Sequence, residues 1–357
     1  MKVSVSIVTY NHEKFIAKAL DSVLMQRTTF DYEIVIGEDC STDTTRAILL
    51  DYQKRHPGIF SLLLNDKNLG GQKNIEQTMQ ACRSEYVAVL DGDDYWTSPD
   101  KLQKQVDFLD SHPECSACFH DVLIIHADGD REPTHYRPRH KTFCSVEDLL
   151  LDNVIPTSAV MFRRHLFERL PGWIGRLKMG DWPFHILNAL QGRIGYIDET
   201  MGVYLVHHGG VWSMQRWQYH ALAVIELFEA LRIHLDRKYR GIINPILCSW
   251  YFSVSGRYEA EGDLVNAKTY LNKSIRKHVS IIGDSKSYFD RVTKDALTMV
   301  PEAVRPVNGS LLFKSFLRLY VIPALRSSLL PVLKLRFPTL YRLLRAGFCK
   351  AFLRQST

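Results

Sequence analysis

Tyr86-Val-Ala-Val-Leu-Asp-Gly-Asp-Asp-Tyr-Trp96 is the stretch on which the reading of this chain turns. A short run rich in valine and leucine ends abruptly in carboxylates at Asp91, Asp93 and Asp94. The apolar part reads as a buried parallel strand, because such runs bounded by a turn signal suit a strand covered on both faces. Gly92 permits a tight turn, so the neighbouring carboxylates converge at the strand's C-terminal end. Acids gathered beside a buried strand are costly without a counter-cation. A divalent metal holding a substrate's diphosphate would supply that charge through oxygen ligands. A solvated turn whose aspartates cap the next helix would show the same letters.

The chain before this stretch repeats a strand-then-helix rhythm. Val3–Thr9 reads as a strand, and residues 13–26 as a helix with Phe15, Ile16, Ala19, Leu20, Val23 and Leu24 on one face. Residues 33–36 and 60–64 read as further strands, and residues 42–56 and 72–82 as helices. Ser41 is expected to precede one helix, and Ser98-Pro99 to supply another with a cap and a first-turn proline. Repeated βα units imply an α/β fold, a mostly parallel sheet with helices on both faces. Ligands bind such sheets at the C-terminal strand ends, where Thr9-Tyr10-Asn11, Glu38-Asp39 and Asp91-Gly92-Asp93 all stand.

Residues 115–125 read as another strand, so Cys115-x-x-Cys118 within it is expected to be structural. The pattern then turns irregular to about residue 210, with a polar turn at Asp128-Gly129-Asp130, as in segments that shape an acceptor pocket. From Trp217 the chain reads as helical, with a hairpin that turns at Gly262-Asp263. The expected organisation is a catalytic domain over residues 1–215, a helical region over 216–300 and a basic amphipathic tail over 301–357.

Composition narrows the class. The chain has 357 residues, 46% hydrophobic and 24% charged, as ordinary globular proteins do. Seven cysteines without a framework suit a reducing, cytoplasmic compartment. No signal peptide or membrane-span pattern stands out. The net charge of +6 belongs to the tail, which holds Arg305, Lys314, Arg318, Arg326, Lys334, Arg336, Arg342, Arg345, Lys350 and Arg354 against one acid, Glu302. A nucleic-acid partner is therefore not implied for the body. Apolar clusters alternate with these cations, and Pro323, Pro331 and Pro338 break the tail into short helices. It is expected to dock peripherally on an anionic membrane surface, the cytoplasmic face of the inner membrane, unless its apolar faces pack on the domain or a second subunit. The oligomeric state stays open.

The opening Val-Ser-Ile-Val-Thr-Tyr-Asn, the Gly37-Glu-Asp-Cys-Ser-Thr-Asp43 segment and Leu90-Asp-Gly-Asp-Asp-Tyr-Trp96 stand in one order and spacing. In this the chain resembles the inverting family 2 glycosyltransferases of GT-A fold, over roughly residues 1–215. The resemblance implies transfer of a sugar from a UDP-sugar to a hydroxyl acceptor, a glycan that could be lipid-linked, in cell-surface polysaccharide synthesis. It implies that Asp39 accepts a hydrogen bond from the uracil ring, as a carboxylate can from an imide N–H. Thr9 and Tyr10 would flank the base, with Asp91 and Gly92 near the ribose or donor sugar. Asp93 would bind a manganese or magnesium ion. His207, in Tyr204-Leu-Val-His-His-Gly-Gly, would join it as a ligand, which imidazole does more readily for manganese.

Two departures stand out. Lys73, in Asn68-Leu-Gly-Gly-Gln-Lys-Asn74, occupies a position where arginine is common, and either contacts the donor or is an exposed helix-start lysine. Gly180-Asp181-Trp182 replaces the first of two acids with glycine and keeps Asp181, the expected general base, which could also cap the helix after it. A sugar-1-phosphate nucleotidyltransferase is the alternative enzyme, but Tyr10-Asn-His-Glu13 stands where its glycine-rich loop would be. A non-catalytic UDP-sugar-binding module is the second alternative, against which the intact Asp39, Asp91, Asp93 and Asp181 argue.

Overall fold

The first half of the chain alternates as its patterning predicts: β1 (Val3–Thr9), α1 (Ile16–Leu24), β2 (Tyr32–Glu38), α2 (Thr45–Arg55), β3 (Phe60–Leu64), α3 (Gly71–Ala81) and β4 (Tyr86–Asp91). β5 (Tyr95–Trp96), α4 (Lys101–Ser111) and the long β6 (Cys115–His126) follow. Short β7 (Thr134–His135), β8 (Phe143–Cys144), α5 (Val146–Leu151) and β9 (Met161–Arg163) lead into α6 (Asp181–Gln191), β10 (Arg193–Val206) and α7 (Trp217–His234). α8 (Arg240–Ala260) and α9 (Leu264–Asp284) form the hairpin expected around Gly262, whose φ of +81° is the left-handed conformation that glycine adopts without strain. This computed structural model describes residues 1–136, 141–165, 171–210 and 212–284.

The chain divides into two compact units, Met1–Ile243 and Asn244–Thr357, so α7 falls with the first. In the first, the described strands join one sheet in the order β3-β2-β1-β4-β9-β6-β10-β5, with β7 on β6 and β8 on β10. The β3-β2-β1-β4 half is parallel throughout. β9 is antiparallel to both β4 and β6, a short antiparallel insertion in the mostly parallel sheet that was expected. β6 and β10 pair in parallel beyond it.

Strand alternation assigns the two faces. Val3, Val5 and Ile7 of β1 share a core with Ile16, Ala19, Leu20 and Val23 of α1 and with Leu102 and Val106 of α4. Each fully buried valine, leucine or isoleucine among them contributes about 2 kcal/mol of transfer free energy. Ser6 and Val8 point to the opposite face, where α3 and α6 lie. Helices therefore cover both faces.

Three helix starts differ from expectation. α1 begins at Ile16 and α2 at Thr45 because the residues before them are engaged with each other: Asn11 N–H donates to Ser41 Oγ at 3.0 Å, and Thr42 N–H to Asn11 Oδ1 at 2.8 Å. Ser41 thus ties two loops together and is not the cap of α2, whose N-cap is Thr44. α4 has its N-cap at Asp100, so Pro99 precedes the helix and is not its first residue. Cys115 and Cys118 are buried free thiols three apart on β6, consistent with the structural reading.

In the second unit, Ser274 Oγ donates to Cys248 O at 2.9 Å and Ser255 Oγ to Ala267 O at 2.7 Å, fastening α8 to α9. Among the described residues no helix is long and apolar enough to cross a membrane. The basic tail lies outside the described residues.

Candidate active site

Parallel register brings the strand-end polar residues side by side. Thr9 is level with Glu38, and Val8 with Asp91. The loops leaving these strands are knitted by the backbone: Asp39 N–H donates to Thr9 O and Gly92 N–H to Val8 O, each at 3.0 Å. A Cβ on Gly92 would stand 2.8 Å from both Thr9 Oγ1 and His12 Nδ1. Glycine is therefore needed there for close approach of two loops, beyond the tight turn its sequence context suggests.

Asp93 sits beside two imidazoles. His207 Nε2 lies 3.0 Å from Asp93 Oδ2 and His12 Nε2 lies 3.8 Å from the same oxygen. Phe15 packs against the His207 ring with centroids 4.3 Å apart. Burial opposes the Asp93 carboxylate, but the His207 hydrogen bond and the two nearby rings outweigh it and hold its pKa below the ordinary value. Asp94 turns the other way, inward: it accepts from Leu205 N–H at 2.9 Å, tying the loop to β10, and burial raises its pKa well above normal. Among the described residues no three His, Cys, Asp or Glu side chains are arranged to hold a metal. The Asp93–His207 pair supplies one oxygen and one nitrogen donor, a set that fits a divalent ion whose other ligands come from diphosphate and water.

Asp91 faces a different space. It lines a cavity of about 110 Å3 between the sheet, α3 and α6, and Asp181 lines the same cavity. Burial pushes the Asp91 pKa up to about 7, with the Asp93 and Asp181 charges adding to the effect. Asp181 is the first residue of α6, whose N-cap is Gly180, so it is not the cap itself. Asn153 Nδ2 donates to Asp181 Oδ2 at 3.2 Å, and Asn153 is itself held through its carbonyl by Tyr136 Oη at 2.6 Å. Two carboxylates from chain positions ninety residues apart thus meet at one edge of the sheet.

Residues 4–170 match the family model described as "Glycosyl transferase family 2". The chain is 32% identical over 190 residues to the putative teichuronic acid biosynthesis glycosyltransferase TuaG of Bacillus subtilis, covering 50% of this chain and 73% of that one. The chain belongs to glycosyltransferase family 2. It is also 34% identical over 284 residues to an uncharacterised protein of Mycobacterium tuberculosis, covering 77% and 80% of the two chains. The crystal structure of Staphylococcus aureus TarS, residues 1–349 with UDP, superposes with a TM-score of 0.53 at 21% identity, covering 85% of this chain and 82% of that one. That likeness confirms the GT-A fold. The protein is thus a glycosyltransferase related to cell-wall polysaccharide enzymes.

The remaining expected site residues of this glycosyltransferase fall as follows. Tyr10 is exposed at the end of β1, while Thr9 is buried with its Oγ1 unpartnered among the described residues. Asp39 is buried and does not cap α2: its carboxylate accepts from Leu69 N–H at 2.8 Å, Gly70 N–H at 3.0 Å and Asn65 Nδ2 at 3.1 Å. It therefore shapes the loop before α3 and keeps lone-pair capacity on Oδ2. Lys73 is exposed in the first turn of α3, and it is the neighbouring Gln72 that lines the cavity. Gln72 also approaches Gly180: a Cβ there would meet the end of the Gln72 side chain, which could swing aside.

Sequence reading missed His12 and His185. His12 had a signal, its place three residues beyond the end of β1. His185 had none, since a single histidine inside an apolar helix reads as core.

Proposed function

We propose that this glycosyltransferase moves a sugar from a UDP-sugar to a hydroxyl of a glycan acceptor, with inversion at the anomeric carbon, in cell-surface polysaccharide synthesis. The observation that carries the reading is the cavity shared by Asp91 and Asp181 at the C-terminal strand ends, beside the Asp93–His207 pair. The TuaG relationship and the UDP in the TarS structure support the polysaccharide context and the nucleotide.

Inversion in one displacement needs one base. The acceptor oxygen forms a bond to the anomeric carbon as the carbon–oxygen bond to the diphosphate breaks. The acceptor proton passes to the Asp181 carboxylate, which Asn153 holds in place. UDP departs with the electron pair. A manganese or magnesium ion held by Asp93 and His207 would neutralise charge on the diphosphate. Asp39 reads the uracil imide N–H with the remaining capacity of Oδ2, Thr9 and Tyr10 border the base, and Asp91 faces the donor sugar. Lys73, on the exposed side of α3, would meet the diphosphate from solvent.

Calorimetry with UDP, CDP and ADP in manganese, followed by hydrolysis and transfer assays over a UDP-sugar panel, tests this. UDP is expected to bind at least about tenfold more tightly, because a site built for one hydrogen bond rejects a ligand lacking it. Equal affinity for the three nucleotides would remove Asp39 from base recognition.

A further inference from the structure

His185 has no role in the scheme above, yet it is a buried polar residue at the cavity. Its side chain is buried to 1% exposure on α6 and lines the cavity, with neither ring nitrogen hydrogen-bonded among the described residues. Buried polar groups left without partners are destabilising, and native structures keep few of them. Asp181 and His185 are four apart, so they lie on one face of α6 a single turn from each other. Around them, Val8, Ile75, Met79 and Phe184 wall the cavity with hydrocarbon.

We propose that His185 is a specificity-determining residue that hydrogen-bonds one hydroxyl of the pyranosyl ring seated in this cavity, while another part of the same site engages Asp181. The inference rests on the cavity being the transfer site. Burial lowers the His185 pKa to about 4, so at neutral pH the ring presents one N–H donor and one nitrogen acceptor. A hydroxyl can accept from the first and donate to the second. A carboxylate or phosphate can only accept, and would face the Asp91 and Asp181 charges. The hydrocarbon walls suit the C–H faces of a sugar ring and exclude the water that would otherwise compete for the imidazole. Whether the ring belongs to the donor or to the acceptor, the chemistry recognised is the same.

The full chain is assayed with monodeoxy analogues of UDP-glucose and UDP-N-acetylglucosamine, and with monodeoxy p-nitrophenyl glucosides as acceptors. Wild type is expected to lose at least about 30-fold in kcat/KM for one deoxy position. His185→Phe is expected to lose a similar factor on the parent sugar and to stop distinguishing that analogue, and His185→Gln to recover part of the discrimination. Discrimination already present in donor hydrolysis places the hydroxyl on the donor ring, and discrimination seen only in transfer places it on the acceptor. Unchanged UDP affinity in both variants shows that they fold. Wild type accepting every monodeoxy analogue within about threefold, or His185→Phe keeping the wild-type ratio, overturns the assignment. Failure of wild type to turn over any UDP-sugar sinks the transfer reading instead. Saturation-transfer NMR with the free methyl glucoside panel then decides on His185. A sugar signal seen in wild type and abolished in His185→Phe supports it, and no signal in wild type overturns it.

Discussion

The two walls of the cavity are built differently. The β1–β4 half comes from four consecutive βα steps, and its loops are tied side chain to backbone across neighbours: Asn11 with Ser41 and Thr42, Glu13 with Thr44, Asp39 with Leu69 and Gly70. The wall that includes Thr157, Val160, Ile174 and the start of α6 comes from a mixed region and carries Asp181 on a hydrogen bond from Asn153, with Asn153 Oδ1 and both His185 ring nitrogens unpartnered among the described residues. The first wall also keeps open groups, Thr9 Oγ1 and His12 Nδ1, but these lie at the loop of Asp93. The contrast points to a division of labour. Under the proposed function, one wall would be pre-organised to grip the nucleotide and the other completed by the sugar that reacts there.

Separating the walls by mutation gives the largest expected effect. Asp181→Asn keeps shape and the α6 start but loses the base, so transfer should fall about 10³-fold while UDP affinity stays within about twofold. Turnover near wild type on a hydroxyl acceptor would dismiss Asp181 as the base and with it the division. The complementary change, Asp93→Ala, should weaken UDP binding in manganese about 100-fold and leave metal-free binding nearly unchanged. Titrations of the two variants side by side check both, and a metal response that survives in Asp93→Ala would move the ion elsewhere.

The same division explains what was legible in the sequence. β4 and the centre of β2 could be read because they are buried apolar runs, and the carboxylates Glu38-Asp39 and Asp91 mark where those two stop. The helix starts could not, because Asn11 pairs with Ser41 and Glu13 with Thr44 across loops about thirty residues apart. β9 is three residues long, Met161–Arg163, too short for a periodicity, and only its antiparallel neighbours β4 and β6 make it a strand. Asp181 was legible through a family motif, its orienting Asn153 through nothing local. His12 escaped notice because its meeting with Asp93 depends on how Gly92 lets two loops touch.

A pH experiment tests the mixed region itself. His120 on β6 is fully buried, its Nδ1–H donating to Asp121 O at 2.8 Å, and burial together with Lys101 pushes its pKa down to about 3. In the unfolded chain its pKa is about 6.5, so the unfolded state binds the proton first as pH falls. The folded state is therefore at full relative stability above 6.5 and loses it as pH drops toward 3, by roughly 2 kcal/mol at pH 5. His120→Gln should shrink the fall in melting temperature between pH 7 and pH 5, whatever its cost at pH 7. An unaltered pH dependence would mean that His120 is hydrated or charged in the folded protein.

The smallest expected effect lies at the Asn153 tie on the second wall. Asn153 Nδ2 holds Asp181 Oδ2 at 3.2 Å, a long bond on a carboxylate, and its loss should cost about 1 kcal/mol. Asn153→Ala is therefore expected to lower kcat about fivefold with the KM for the UDP-sugar unchanged, because only the orientation of the base is disturbed. Asn153→Asp sharpens the comparison. It keeps the volume but sets two carboxylates together, raises the proton affinity of Asp181 and should shift the acid limb of the kcat profile to higher pH. If both variants match wild type in kcat and in pH profile, Asn153 is a loop brace only. Asp181 would then be positioned by the start of α6 alone, and the second wall would be as pre-organised as the first.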